Sequence, residues 1–178
     1  MASNESHHVL PRVRFEAPKP RLLIVIAPYY KDIADGLLAG AKAAITDAGA
    51  EFDVAEVPGA LEVPTAIRLA TACEKYDGFV ALGCVIRGET THYDTVCNDS
   101  SRALQMMGLQ GICIGNGILT VENTEQAEVR ADPNGQNKGA GAADAAMHLI
   151  ALSRKFRSFP RGIGFKSTAE NAGSDVKD

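Results

Sequence analysis

Hydrophobic and polar positions along this chain fall into blocks whose period switches between strand and helix. Leu22 to Ala27 is a continuous apolar run, the pattern of a strand buried on both faces. After it, Ile33, Leu37, Ala41, Ala44 and Ile45 share one helical stripe, and Gly49 stands just past the helix end. Phe52 to Val57 predicts a second strand, and a helix with Pro64 near its start runs to about Tyr76. Phe79 to Val85 predicts a third strand, followed by a helix over about Thr91 to Met107 and a strand over Ile112 to Ile114. A short helix near Glu122 to Arg130 and a longer one from about Lys138 to Phe156 close the pattern. The last carries Ala143, Met147, Ile150 and Ala151 on its apolar stripe.

Strands separated by helices imply right-handed parallel crossovers, hence a three-layer α/β/α sandwich around a central four-stranded parallel sheet. Ligands in such folds bind where loops leave the C-terminal ends of strands. The loops to inspect are those after Ile26, Val57, Val85 and Ile114. Residues 1–20 read as an N-terminal arm, 21–158 as the domain and 159–178 as a flexible tail rich in Gly, Ser, Asp and Lys. No internal repeat is evident.

Composition narrows the class. A chain of 178 residues, 46% hydrophobic and 22% charged, matches one ordinary soluble globular domain with a core of its own. A net charge of −4 supplies no excess of Lys and Arg to neutralise phosphates, so no nucleic-acid partner is expected. No apolar run spans a bilayer, and the first 20 residues lack a secretory apolar stretch. Cys73, Cys84, Cys97 and Cys113 form no C-x-x-C pair, so neither a zinc site nor any other metal is expected. Reduced thiols in a cytoplasmic setting fit them better, three of the four as small core residues.

The segment Gly83 to Tyr93, GCVIRGETTHY, leaves the third strand and enters a helix near His92. Free N–H groups at a helix start, beside a glycine and two threonines, suit a phosphate. His92 reads either as a proton shuttle beside that anion or as a loop histidine that packs locally. Arg130 closes a helix and reads as a phosphate fork or as a solvated residue favouring the helix C-terminus; Lys138 has the same alternatives. Tyr29, just past the first strand, offers a flat face for a heterocycle or ordinary packing. Glu62 complements a helix dipole without needing a ligand. Gly115-Asn116-Gly117 is an incomplete dinucleotide pattern after the wrong strand. His148 lies off the last apolar stripe, where exposure is expected, and His7 and His8 belong to the arm.

From about Leu22 to Phe156 the chain resembles the lumazine synthase family. The resemblance rests on VPGALEVP (57 to 64), KYDGFVALGCVIRGETTHYD (75 to 94), NGILTVENTEQA (116 to 127) and NKGAGAA (137 to 143), in the family's order. It implies condensation of 5-amino-6-(D-ribitylamino)uracil with 3,4-dihydroxy-2-butanone 4-phosphate to 6,7-dimethyl-8-ribityllumazine, phosphate and water. This is a step of riboflavin biosynthesis that uses no metal or organic cofactor. By position, His92 matches the proton-transfer histidine. Arg130 matches the arginine on the butanone phosphate, with Glu89 and Thr90 at the same group and Lys138 nearby. Tyr29 matches the aromatic stacked on the pyrimidine. Gly59, Ala60, Leu61 and Glu62 match the pyrimidine-binding segment, Cys84, Val85 and Ile86 the strand end beneath it, and Asn116 a position where many members carry phenylalanine.

Departures from the family pattern are Pro28 and Tyr30 in the usual R-F-N, Asn116, and Gly141 in place of a glutamate. They motivate a rival reading, a member that binds lumazine or a flavin and catalyses weakly. A nucleotide-binding doubly wound domain is a third reading, and it lacks a glycine fingerprint after the first strand. The resemblance further implies that the arm adds a strand to a neighbouring subunit. It also places the site between subunits, with His92 and Arg130 meeting Tyr29 across the interface. It implies a homopentamer, with an icosahedral 60-mer as the alternative, and riboflavin synthase as a partner. Shell-forming members carry a G-T-K-A-G-like turn where this chain has Asp132-Pro133-Asn134-Gly135-Gln136.

Overall fold

A computed structural model describes residues 10–159. Four strands, β1 (Arg21–Ile26), β2 (Glu51–Glu56), β3 (Gly78–Ile86) and β4 (Ile114–Val121), form one all-parallel sheet in the order β2-β1-β3-β4. Crossovers are carried by α1 (Lys31–Asp47), α2 (Glu62–Ala70) and α3 (His92–Leu109), and α4 (Thr124–Ala131) and α5 (Lys138–Arg157) follow the last strand. Because strand side chains alternate between faces, Leu22, Ile24, Ile26, Val80 and Leu82 enter one core with the stripes of α1, α4 and α5. Leu23, Val25, Phe79 and Ala81 enter the other, with Val63 and Ile67 of α2 and Leu104 and Met107 of α3. The expected three-layer sandwich is present.

Local chemistry explains where α1 stops. Gly49 adopts φ +75, its N–H donates to the Thr46 carbonyl at 3.0 Å, and the Ala50 N–H donates to Ile45 at 3.1 Å. These two reversed bonds satisfy carbonyls that the helix leaves open.

Two boundaries differ from expectation. Helix α2 ends at Ala70 rather than near Tyr76; a 3-10 turn follows at Thr71–Cys73, and Glu74 is left-handed at φ 50. The break frees Tyr76 to donate its hydroxyl to Asp53 at 3.0 Å and to pack edge-on against Phe79. Strand β4 begins where it was expected to end. Ile112 belongs to the turn after α3, and the strand runs on through Gly115-Asn116-Gly117 to Val121. The glycines hide it from an apolar alternation, and α5 is the reason they are there. A Cβ on Gly115 would stand 1.8 Å from the Ala142 carbonyl oxygen. Strand glycines often mark such close approach of another backbone. The loop to inspect after β4 therefore follows Val121.

In the described part of the arm, residues 10–20 form no strand. The Phe15 N–H donates to the Ala48 carbonyl at 2.8 Å, and Arg12 pairs with Asp144 at 3.3 Å. His148 is half-buried rather than exposed. His7, His8 and the tail beyond Phe159 lie outside the described residues. Among the described residues, no helix is long and apolar enough to cross a membrane.

At the sheet end away from the expected ligand loops, Arg21 donates to both oxygens of Asp53 at 3.1 Å and to Glu51 at 2.8 Å. Lys75 pairs with Asp53 at 2.7 Å. Hydrogen bonding from Lys75, then Tyr76 and Arg21, holds the Asp53 carboxyl down at about 2. A depressed carboxylate pKa stabilises the fold above its ordinary range, and that contribution is lost as pH falls through the folded value. Asp53→Asn is therefore expected to lower the melting temperature at neutral pH. Thermal unfolding followed from about pH 5 down toward 2 should show the gap to the parent protein closing.

Candidate active site

Strands β1, β2 and β3 end side by side, and their loops enclose a cleft of roughly 430 Å³. The end of β1 is held in place when the Ala27 N–H donates to Leu82 at 3.0 Å. Pro28 then turns the chain into Tyr29 and Tyr30. Tyr29 is 74% exposed, and its ring meets Tyr30 edge-to-face with centroids 5.0 Å apart. Such pairs add attraction beyond buried area and restrict ring orientation. Tyr30 is half-buried against the core, and its carbonyl accepts the Ala34 N–H at 2.9 Å to start α1.

The second wall comes from the turn after β2. Pro58 and Gly59 lead to buried Ala60, exposed Leu61 and exposed Glu62, whose N–H donates to the Gly59 carbonyl at 3.1 Å. A Cβ on Gly59 would come within 2.9 Å of the Glu62 carboxylate, so glycine lets that carboxylate fold back over the turn. The floor is the end of β3, with buried Cys84 and half-buried Val85 and Ile86. Burial pushes the Cys84 thiol up to about 11.

The third wall is the β3–α3 loop. Gly88 has open space around it and leaves the backbone accessible. Thr90 accepts the His92 N–H at 3.4 Å, a long bond, and the helix has no side-chain cap. The Asp94 N–H donates to the Thr91 carbonyl at 3.0 Å, and no side chain covers the helix start that an anion would approach. The exposed His92 and half-buried Tyr93 face the cleft with Val96, one helical turn beyond His92.

Ten expected site residues thus line one cleft: Tyr29, Gly59, Ala60, Leu61, Glu62, Cys84, Val85, Ile86, Thr90 and His92. His92 and Tyr29 come from the same chain, which corrects the expectation that they meet across a subunit interface. Neighbouring parallel strands β1 and β3 deliver both loops to the carboxyl end of the sheet, so no second subunit is needed to join them. Glu89 is exposed and does not line the cleft. Asn116, Arg130 and Lys138 stand elsewhere. Asn116 opens into a groove with Leu104, Leu149, Leu152 and Phe156, its Oδ1 accepting the Ile118 N–H at 3.0 Å. Arg130 donates to the Gln126 carbonyl at 2.9 Å in the last turn of α4. Lys138 begins α5 on the exposed surface, after Asn137, whose side chain caps that helix. Ala27, Tyr30, Pro58, Gly88, Tyr93 and Val96 complete the lining and were not among the expected site residues. The four-residue step from His92 to Val96 was the readable signal for one of them.

An exposed aromatic face, a carboxylate, a phosphate-suited helix start and an imidazole share this cleft. The class is a parallel α/β domain with an open cleft at the carboxyl ends of its strands. A model of the 6,7-dimethyl-8-ribityllumazine synthase family matches residues 19–154. Relatives named 6,7-dimethyl-8-ribityllumazine synthase include one from Jannaschia sp. (strain CCS1), 57% identical over 146 residues and covering 82% of each chain. Another, from Novosphingobium aromaticivorans, is 53% identical over 76% of this chain and 98% of its own. A third, from Agrobacterium fabrum, is 54% identical over 77% of this chain and 97% of its own. The chain belongs to the 6,7-dimethyl-8-ribityllumazine synthase family.

Cys84 gives a direct check on the cleft floor. A thiolate is the reactive form, and a thiol raised to about 11 is almost wholly protonated at neutral pH. Iodoacetamide at neutral pH should alkylate the exposed Cys73 well before Cys84. Peptide mass spectrometry over time reads the order, and early labelling of Cys84 would show that the floor is open.

Proposed function

We propose that this chain condenses 5-amino-6-(D-ribitylamino)uracil with 3,4-dihydroxy-2-butanone 4-phosphate to give 6,7-dimethyl-8-ribityllumazine. The observation that carries the reading is the convergence of Tyr29, Thr90 and His92 on one cleft in a member of this family. Tyr29 stacks on the pyrimidine while the Gly59–Glu62 turn meets its polar edge. Thr90 and the open first turn of α3 receive the phosphate of the second substrate. The amine adds to the ketone and expels one water as the imine forms. Phosphate then leaves, and ring closure releases a second water. Each step moves a proton, and His92 is the cleft's group suited to taking and giving one near neutral pH. Holding two reactants together supplies much of the remaining advantage. An imidazole at the reacting edge favours turnover over binding alone.

The assay is formation of 6,7-dimethyl-8-ribityllumazine from both substrates at steady state. General acid–base catalysis is typically worth about 100- to 10,000-fold. His92→Ala is expected to lower kcat by about 100-fold, the low end, because an amine and a ketone condense readily unaided. An assembled parent protein without product would refute the function. Unchanged kcat in the variant would remove His92 from the mechanism.

The reading also assigns Asn116, Arg130 and Lys138 to the neighbouring subunit's cleft, with Arg130 forking the phosphate and the arm adding a strand to the neighbour's sheet. Support comes from their position outside this chain's own cleft and from the exposed apolar Leu109, Leu152 and Phe156 around the Asn116 groove. Four free thiols accord with a cytoplasmic setting. A pentamer is the expected assembly. The turn at Asp132 closes on itself, with the Gly135 N–H donating to the Asp132 carbonyl at 2.9 Å and Gln136 to Val129 at 3.1 Å. Pro133 disfavours a helix through the turn, which sets the approach of α4 to α5 and misdirects contacts between rings. Light scattering should give five chains of 18.8 kDa, about 94 kDa. A megadalton particle would show that the turn permits a shell, and a stable monomer would contradict the shared site.

A further inference from the structure

Arg87 does not line the cleft, yet it contacts two of the elements that support it. It is the first residue after β3, and its backbone N–H donates to the Val121 carbonyl at 2.9 Å, extending the pairing to β4. Its guanidinium donates Nε–H to Glu122 at 2.8 Å, in the loop after β4. It also reaches Asp94 at 3.4 Å, in the first turn of α3, and lies 4.1 Å over the Tyr93 ring. One planar group therefore ties the loop after β4 to the first turn of α3. Asp94 and Tyr93 are the two residues that follow His92.

Within that first turn the Thr91 carbonyl accepts the Asp94 N–H at 3.0 Å and the Thr95 N–H at 3.3 Å, but no side chain caps the helix start. Thr90 receives only the long bond from the His92 N–H. Gly88 adds a backbone with no neighbour to press against. An uncapped helix start frays unless tertiary contacts restrain it. Arg87 supplies those contacts from the side away from the substrate.

We propose that Arg87 is a positioning residue: by clamping Tyr93 and Asp94 to Glu122, it holds the His92 imidazole and the Thr90 hydroxyl in register with the cleft. The proposal rests on the function proposed above. The clamp is half-exposed, with side-chain exposures of 41% for Arg87 and 57% for Glu122, and exposed ion pairs contribute little to global stability. Its loss is therefore felt as local misplacement rather than unfolding. Lysine is a poor replacement, because one ammonium cannot fork to two carboxylates while lying flat on a ring.

The test compares the parent protein, Arg87→Lys, Arg87→Ala, His92→Ala and the Arg87→Ala/His92→Ala double variant, with two readouts. Hydrogen exchange by mass spectrometry should show severalfold faster exchange in peptides spanning 88–97 of Arg87→Ala, with the other strands and helices unchanged. Steady-state assay should show kcat down about tenfold in Arg87→Ala, less than the roughly 100-fold that an ångström of misplacement can cost, with KM for the pyrimidine little altered. Arg87→Lys should rescue only part of that loss. If Arg87 acts through His92, its effect on kcat vanishes in the His92→Ala background. Unchanged exchange at 88–97 would overturn the proposal, as would an equal loss of kcat in both backgrounds. Should Arg87→Ala fail to assemble, Glu122→Ala opens the same clamp from its other end and is read the same way. Exchange needs no turnover, so a parent protein inactive on both substrates would refute the proposed function and leave exchange to decide the clamp.

Discussion

Strand β3 is paired on both sides, with β1 from Leu22↔Gly78 to Ile26↔Leu82 and with β4 from Phe79↔Ile114 to Ile86↔Val121. Its residues Gly78 to Cys84 are all buried. A shift of one residue would exchange the side chains entering the two cores, placing Phe79 where Val80 packs, so burial leaves one register open. That register decides where Cys84, Val85 and Ile86 stand as the cleft floor, and where the chain emerges to build the Gly88–His92 loop. The floor of the site thus belongs to a strand paired on both sides and buried over most of its length.

The helical layers hold that strand in place through unusually short distances. A Cβ on Gly139 of α5 would lie 2.0 Å from the Leu37 carbonyl oxygen of α1, and Gly115 meets α5 backbone to backbone. With Ala140, Ala142, Ala143 and Ala146 also buried, α5 sits close against both the sheet and α1. Close packing of this kind transmits small displacements, since interiors have few voids to absorb them. The opposite layer, α2 and α3, carries Glu62, His92, Tyr93 and Val96 of the cleft lining.

The cleft joins residues that strands deliver and residues that a helix start delivers. Tyr29 and the Gly59–Glu62 turn stand on the ends of β1 and β2, each tied back by a backbone bond, Ala27 to Leu82 and Val57 to Ile26. The β3–α3 loop is tied back where it leaves the sheet, by the Arg87 N–H donating to Val121 at 2.9 Å, and His92 stands five residues further on, in the first turn of α3. Catalysis by proton transfer demands orientation as well as a suitable pKa. On the proposed function, the wall formed by the start of α3 is the one that carries the proton-transfer group.

Local interactions and periodic burial were legible in the sequence. The Leu22–Ala27 run, the Ile33–Ile45 stripe and Gly49 past its end each express a rule that acts within a few residues, and each appears in the fold. The four quoted segments, in order, pointed to the family, and ten of the expected site residues share a cleft. What pattern could not show depends on contacts between distant segments. Strand β4 was truncated in the sequence reading because Gly115 and Gly117 answer to α5, about 27 residues further along, and erase the apolar alternation that marks a strand. Helix α2 was overextended because Tyr76 leaves the helix for a partner, Asp53, on another strand. Spacing along the chain likewise cannot say which sheet end or helix face a side chain reaches. Only the tertiary structure puts Tyr29 and His92 in one chain's cleft, sends Asn116 and Arg130 elsewhere, and sets Arg87 behind His92, because those placements follow from strand order and packing rather than from neighbours in sequence.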